Sequence, residues 1–202
     1  MNAAKRRYRM TERARAADAT RRKIIDAAAA LFLEDDPDRI TLDAIAARAG
    51  VTLQTVLRKF GSKDGVFAAA AELKSAEVVR AREIDRPGDH AAALRVLIDS
   101  YEQIGELSWR LLRFEATMGA LHQILVTARS LHRGWIERHF ADLLPRRGAA
   151  RDRRIDALFT VTDFYVWKLH RVDLGRSRAE TEAAMLLLID SLARRFAGKK
   201  DA

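Results

Sequence analysis

Cysteine is absent from this chain of 202 residues, which excludes a disulfide framework and every thiolate-ligated metal centre. Proline occurs three times and glycine ten times, so the points at which a helix must stop are few. No apolar run approaches the roughly 18 residues of a membrane span. The longest early run, Ala27 to Leu33, leads straight into Glu34-Asp35-Asp36 with no cleavage-like sequel. It reads as a helix face rather than a leader, and the cytoplasm is the expected address. Sustained period-two alternation and β-branched enrichment are also missing, so no strand is predicted. Neither a fixed-period repeat nor a low-complexity tract beyond short Ala clusters occurs.

What fills the chain is Ala, Leu, Arg and Glu, with 49% hydrophobic and 32% charged residues. That composition predicts an all-α protein. Net charge is +9, and it is unevenly placed. Residues 1–23 hold nine Lys or Arg (Lys5, Arg6, Arg7, Arg9, Arg13, Arg15, Arg21, Arg22, Lys23) against Glu12 and Asp18, so +7 sits there. Such a segment suits a polyanion, or it is a solvated tail; charge alone does not separate the two. We expect a disordered basic arm over 1–19.

Breakers divide the remainder. Thr20 is expected to cap a helix through Glu34, with Ile24, Ile25, Ala28, Leu31 and Phe32 on one face, ended by Asp36-Pro37-Asp38. Thr41 caps a short helix to Arg48, Thr52 another to about Lys59, and Ser62 a longer one to about Glu83. Pro87-Gly88 is the clearest boundary. Beyond it, helices are expected near 89–104, 107–117, 119–141, 150–173 and 177–196, separated at Gly105, Gly119, Pro145 to Gly148, and Gly175. Gly105 and Gly119 are read either as hinges or as simple helix ends.

The stretch TLDAIAARAGVTLQTVLRKF at 41–60 carries the main functional signal. Counting from Leu42, Ala46 is fifth, Gly50 ninth and Val56 fifteenth. Two helices that cross closely need a small side chain at the contact, and the turn needs a residue tolerant of positive φ. Leu42, Ile45, Val51 and Val56 then fill the wedge, and Phe60 seals its far end. Leu53, Gln54, Thr55, Leu57, Arg58 and Lys59 are left on the second helix's outer surface. A helix of that size fits the major groove of B-DNA. Gln54 can bond adenine bidentately, Leu53 or Leu57 can meet a thymine methyl, and Arg58 and Lys59 can read guanine or hold phosphate. The same Ala-x3-Gly-x5-Val spacing also suits an αα-hairpin within a core.

TRRKIIDAAAALFLEDD followed by ITLDAIAARAGVTLQTVLRKFGSKDGVF, about residues 20–68, resembles the N-terminal domain of the tetracycline-repressor (TetR) family of bacterial transcription regulators. The later DFYVWKLHRVDLGRSRAETEAAMLLLIDSL is similar to the last two helices of some members. The resemblance implies that Thr41 binds a DNA phosphate, that Thr52, Leu53, Gln54 and Thr55 open the recognition helix, and that Lys63 holds another phosphate. Two positions depart from the pattern. Leu57 stands where the family usually has an aromatic, most often Tyr, and Lys59 where it usually has His or Tyr. The operator preference of relatives therefore does not transfer. The resemblance further implies an effector site, for which Tyr101, Trp109, Phe114, Met118, His122 and Trp135 are the candidate lining; residues of these types are more often ordinary core. Such a lining suits an apolar or anionic ligand.

Met185 to Ile189 is apolar on every side of a helix, continued by Leu192 and Phe196, so burial on more than one face is expected. Ile155, Leu158, Phe159, Thr162, Val166 and Leu169 form a stripe on the preceding helix. Two such helices either pair with their copies in a two-fold four-helix interface or pack wholly inside the monomer. Ile155, Phe159, Thr162, Val166, Met185, Leu188, Ile189 and Leu192 are the interface candidates. A dimer matches two reading heads about 34 Å apart on a pseudo-palindrome.

No catalytic set is found. His122, His132 and His139 match no metal motif in spacing, and GSKDG at 61–65 has neither nucleophile-elbow nor phosphate-loop order. No cofactor is expected. The expected organisation is a basic arm (1–19), a helix-turn-helix domain (20–66), a connecting helix (67–86) and a helical ligand-binding and dimerisation domain (87–202). The expected function is a homodimeric transcriptional repressor, held on a double-stranded DNA operator and released by an unknown small-molecule effector, with no membrane partner. A helical enzyme or ligand-binding protein with structural N-terminal helices is the rival, followed by a module that binds nucleic acid through charge alone.

Overall fold

Strong helix formers occupy every segment between the breakers, and the chain is helical accordingly. The computed structural model describes residues 3–116 and 119–198, and no strand occurs among them. No described helix is long and apolar enough to cross a membrane. The chain divides into two units, Met1–Lys74 with Ala116–Ala120, and Ser75–Glu115 with Leu121–Ala202.

The first unit holds α1 (Ala3–Glu34), α2 (Leu42–Ala49), α3 (Leu53–Phe60) and the start of α4 (Lys63–Ala81). The expected disordered arm is corrected here, because α1 begins at Ala3 and passes Thr20 without a break. No Gly or Pro precedes Pro37, and the Ala, Arg, Met and Glu content favours helix throughout. Thr20 is not a cap; its hydroxyl donates to the Ala16 carbonyl one turn back, at 2.8 Å. Among the residues of α1 whose side chains are described, Ile24 is the first buried one, and Ile25, Ala28 and Phe32 are buried in this unit along with Ile45, Ala46, Val56, Val66 and Phe67. The rings of Phe32 and Phe67 meet edge to face at 5.8 Å.

The second unit contains the end of α4, α5 (His90–Phe114), α6 (Gly119–His139) from Leu121 onward, a 3₁₀ turn at Ala141–Leu143, α7 (Ala149–Thr162), α8 (Phe164–Lys168), a π-helical turn at Leu169–Asp173, and α9 (Arg178–Ala197). Its core gathers Leu94, Leu97, Ile98 and Tyr101 from α5, Trp135 and Ile136 from α6, Leu158 from α7, Phe164 and Trp167 from α8, and Met185 and Ile189 from α9. Two expectations fail in this unit. Gly105 does not separate two helices, since α5 runs through it. A Cβ at that position would lie 2.5 Å from the Trp167 ring, so the glycine serves a close approach. The expected helix over 150–173 breaks at Asp163, whose backbone is extended and whose carboxylate accepts from Tyr165 N to start α8. α9 starts with a capping box between Ser177 and Glu180.

Candidate nucleic-acid interface

The turn between α2 and α3 is built from its caps. The Thr41 hydroxyl oxygen accepts from Ala44 N at 3.1 Å, which leaves its own proton free to donate outward. α2 stops because Gly50 adopts the left-handed conformation, φ 66° and ψ 38°, which costs an L side chain about 1–2 kcal/mol. Gly50 N–H reaches the carbonyls of Ala46 and Ala47, and Val51 N–H reaches Ala46 O at 3.0 Å, so the last carbonyls are satisfied. Thr52 then starts α3, its hydroxyl oxygen accepting from Thr55 N at 3.2 Å and pairing with the Thr55 hydroxyl at 2.9 Å.

On this turn α3 buries Val56 completely and leaves Gln54, Leu57 and Arg58 exposed, with Leu53, Thr55 and Lys59 half-buried. Leu57 keeps 40% of its surface, an apolar group offered to solvent in the middle of a polar face. Arg58 has no ion-pair partner among the described residues. Lys59 and Lys63, expected as DNA contacts, are each bonded within the unit. Lys59 Nζ donates to Ala17 O of α1 at 3.0 Å, and Lys63 Nζ donates to Pro37 O at 3.0 Å. Each ammonium has further protons to give, but each is held beside a carbonyl. The first-turn N–H groups of α4 at Lys63 and Asp64 have no intrahelical acceptor, which suits an anion. Beside α3, Arg21 lies over the Phe60 ring at 5.9 Å, while Arg13 is exposed and Arg15 pairs with Glu12 at 3.1 Å. That basic flank of α1 is a contributor the residue-by-residue reading did not place. Its signal was the uninterrupted helix-forming composition. Arg48 braces α2 against α1 through Glu34 at 2.9 Å, and the guanidinium holds that carboxyl below its ordinary range.

The candidate effector residues are divided between core and surface. Tyr101 and Trp135 are core, and both polar atoms are spent on backbone carbonyls, Tyr101 OH on Thr162 O at 2.9 Å and Trp135 Nε1 on Arg82 O at 3.1 Å. His122 is exposed and sits with Arg129 on Glu115. Trp109 is half-buried beneath the Lys168 ammonium, 4.2 Å from the ring centre. Phe114 is half-buried with Arg110 and Arg113 over its ring, and Met118 lies outside the described residues. What the sequence did not reveal is a polar cluster inside the second unit, formed by Arg82, Ser100, His132 and Thr162 around Tyr101. Burial and the Arg82 charge push the His132 pKa down to about 3, and burial raises that of the Tyr101 phenol.

The interface candidates are also redistributed. Ile155, Thr162, Met185 and Ile189 are fully buried in the chain's own core, so they have no surface to give a second copy; a helix can be apolar all round because one face is core. Phe159, Val166 and Leu192 are partly buried against that core. Leu188 remains 42% exposed, and its neighbour Leu187, not among the candidates, is 62% exposed. Leu169, Val172 and Leu174 are exposed as well. Among the described residues no group of three His, Cys, Asp or Glu gathers as metal ligands.

Residues 24–70 match the family described as bacterial regulatory proteins, tetR family. No curated protein sequence matches the chain. Solved structures share its fold along most of their length. A tetR-family transcriptional regulator from Streptomyces coelicolor aligns with TM-score 0.69 at 20% identity, over 91% of this chain and 90% of that one. SmeT in complex with triclosan aligns with TM-score 0.63 at 24% identity, over 88% and 91%. SmeT, described as the repressor of the Stenotrophomonas maltophilia multidrug efflux pump SmeDEF, also aligns on its own at TM-score 0.58 and 22% identity, over 87% and 89%.

Proposed function

We propose that this chain, whose residues 24–70 match the tetR family and whose all-helical fold is shared with solved TetR-family structures, is a sequence-specific, homodimeric repressor of transcription in the bacterial cytoplasm, released from its operator by a small molecule. The observation that carries the reading is the outer face of α3, where Gln54, Leu57 and Arg58 stand exposed on a turn fixed by Thr41, Gly50 and Thr52. Gln54 reads adenine, Leu57 meets a thymine methyl, and Arg58 takes guanine or phosphate. Thr41 and the α4 N-terminus at Lys63 fix the register on the backbone.

In this reading residues 20–66 read DNA, 67–86 connect, and 87–202 hold the effector and the dimer contact. Leu187 and Leu188 of α9, with Leu169, Val172 and Leu174 before it, supply apolar surface that a two-fold partner would cover. That SmeT, on the same fold, forms a complex with triclosan supports a small-molecule effector for this chain. Release is a population shift, the ligand favouring a head separation that no longer matches successive major grooves.

Selection of bound duplexes from a random library with purified protein tests the reading. A two-fold-symmetric motif is the expected product, bound by a particle of twice the chain mass in sedimentation. Sequence-indifferent binding that vanishes at moderate salt would instead identify a purely electrostatic module. Absence of any binding would leave the N-terminal helices structural.

A further inference from the structure

Arg82 follows the last residue of α4 and is only 8% exposed. Its Nε donates to Ser100 Oγ at 3.0 Å, and its guanidinium lies over the Tyr101 ring, 4.9 Å from the centre. No carboxylate pairs with it among the described residues. A guanidinium has five N–H donors, and here one is used. Burial of the charge without a counter-anion is unfavourable enough to depress the pKa of even this side chain. A cation kept in a core at that cost calls for an anion.

The neighbouring histidine is also incomplete. His132 is 7% exposed, with its ring stacked on Trp135 at 5.4 Å and edge-on to Phe159 at 4.8 Å. Its Nε2 lies 3.0 Å from Thr162 Oγ1. The Thr162 hydroxyl donates its own proton to Leu158 O at 2.7 Å, so the hydroxyl oxygen must accept from His132 Nε2–H. That assigns the neutral tautomer with a bare lone pair on Nδ1, and Nδ1 is buried without a partner. Arg82 and His132 are joined through Tyr101, which lies beneath the Arg82 guanidinium and donates its hydroxyl to the carbonyl of Thr162, the residue that His132 bonds. One offers unused donors and a positive charge, the other an unused acceptor, and the rings of Tyr101, Trp135 and Phe159 pack against them.

We propose that this cluster is the effector site and that its ligand is a small hydroxy-substituted organic carboxylate, whose carboxylate pairs with Arg82 and whose hydroxyl donates to His132 Nδ1. The assignment rests on the effector reading above and gives it a chemical class. Neutral analogues lack the charge that Arg82 requires, and dianions would place a second charge against the aromatic rings.

The test uses the full chain without DNA, measuring thermal unfolding and calorimetric binding with benzoate and the three hydroxybenzoates, each beside its neutral amide. The carboxylates are expected to raise the unfolding midpoint and the amides to leave it unchanged, with one hydroxybenzoate exceeding benzoate. Arg82→Gln should fold at least as stably as the parent, since it removes an uncompensated charge, and should weaken carboxylate binding roughly ten- to hundred-fold. His132→Phe should abolish the advantage of the hydroxyl and keep the response to benzoate. Ser100→Asp places a carboxylate beside Arg82 and should raise the midpoint while removing the response to added acid; it decides the matter if Arg82→Gln does not fold. A parent indifferent to every carboxylate, or an Arg82→Gln protein that responds as the parent does, overturns the assignment. Operator binding is measured separately without acid, so loss of DNA recognition and loss of the acid site are read independently.

Discussion

Gly105→Ala sets two effects of opposite sign against each other. In the interior of α5, exchange of glycine for alanine should stabilise by about 1 kcal/mol through backbone entropy alone. The structure places the new methyl 2.5 Å from Trp167 Cη2 and 2.9 Å from Cζ3, about 1 Å inside ordinary contact. The indole has little freedom to retreat. It is 6% exposed, its Nε1–H donates to Glu102 Oε1 at 3.1 Å, and Phe164 and Tyr101 lie at 5.3 and 5.8 Å. Glu102 is held in turn by Arg171 at 2.6 and 3.0 Å. Overpacking of this kind costs about 1–3 kcal/mol, and swinging the ring away costs a hydrogen bond to a carboxylate, about 1.5–3 kcal/mol. Either loss equals or outweighs the gain in helix propensity, and we expect a net destabilisation of up to about 2 kcal/mol. Urea unfolding followed by far-ultraviolet circular dichroism measures it, the midpoint falling at unchanged slope. In a Trp167→Leu background the same exchange should become neutral or stabilising. A Gly105→Ala protein about 1 kcal/mol more stable than the parent would refute the packing argument and leave propensity in charge.

Gly50→Ala meets no neighbour within 4 Å, so its cost is conformational only, about 1–2 kcal/mol in the same urea assay; an unchanged midpoint would mean that the turn relaxes. Gln54→Ala should cost roughly 1–3 kcal/mol at a single operator base pair and nothing at others, and equal affinity across all single-base variants in a binding titration would remove Gln54 from readout. Lys63→Ala should weaken every duplex alike and reduce the salt slope by about one; an unaltered slope would mean that its bond to Pro37 is its whole role. His132 is held neutral, with a pKa of about 3 against an ordinary 6.5, so the unfolded chain binds the extra proton between those values. Its contribution is present above pH 6.5 and is lost as pH falls toward 3, on the order of a few kcal/mol at most. His132→Asn should therefore flatten the stability profile across that window, and parallel profiles for the two proteins would show that the burial of His132 carries no such linkage.

Periodicity and caps made the turn between α2 and α3 legible in one dimension. Ala46, Gly50 and Val56 act within one short helix pair, and Thr41 and Thr52 act within three residues of themselves, so spacing alone carries their geometry. The same local logic misjudged Gly105, whose partner Trp167 is far along the chain, and it took the helix-forming segment before Thr20 for a tail because charge was weighed above propensity. It also could not divide Met185 to Ile189 between core and surface. An apolar run has no sign for direction, and only the packing of α9 against α5 and α7 turned Met185 and Ile189 inward and left Leu187 and Leu188 outside.

Residue order by itself determined the short helices α2 and α3, the left-handed stop at Gly50 and the polar face of α3, because each depends on contacts within one or two turns. Tertiary structure alone decided that Arg82, Ser100, His132 and Thr162, spread over four stretches of chain, meet inside one core. No local rule relates such residues: their proximity is set by how whole helices pack, and so is the burial of the Arg82 charge away from any carboxylate of the described chain.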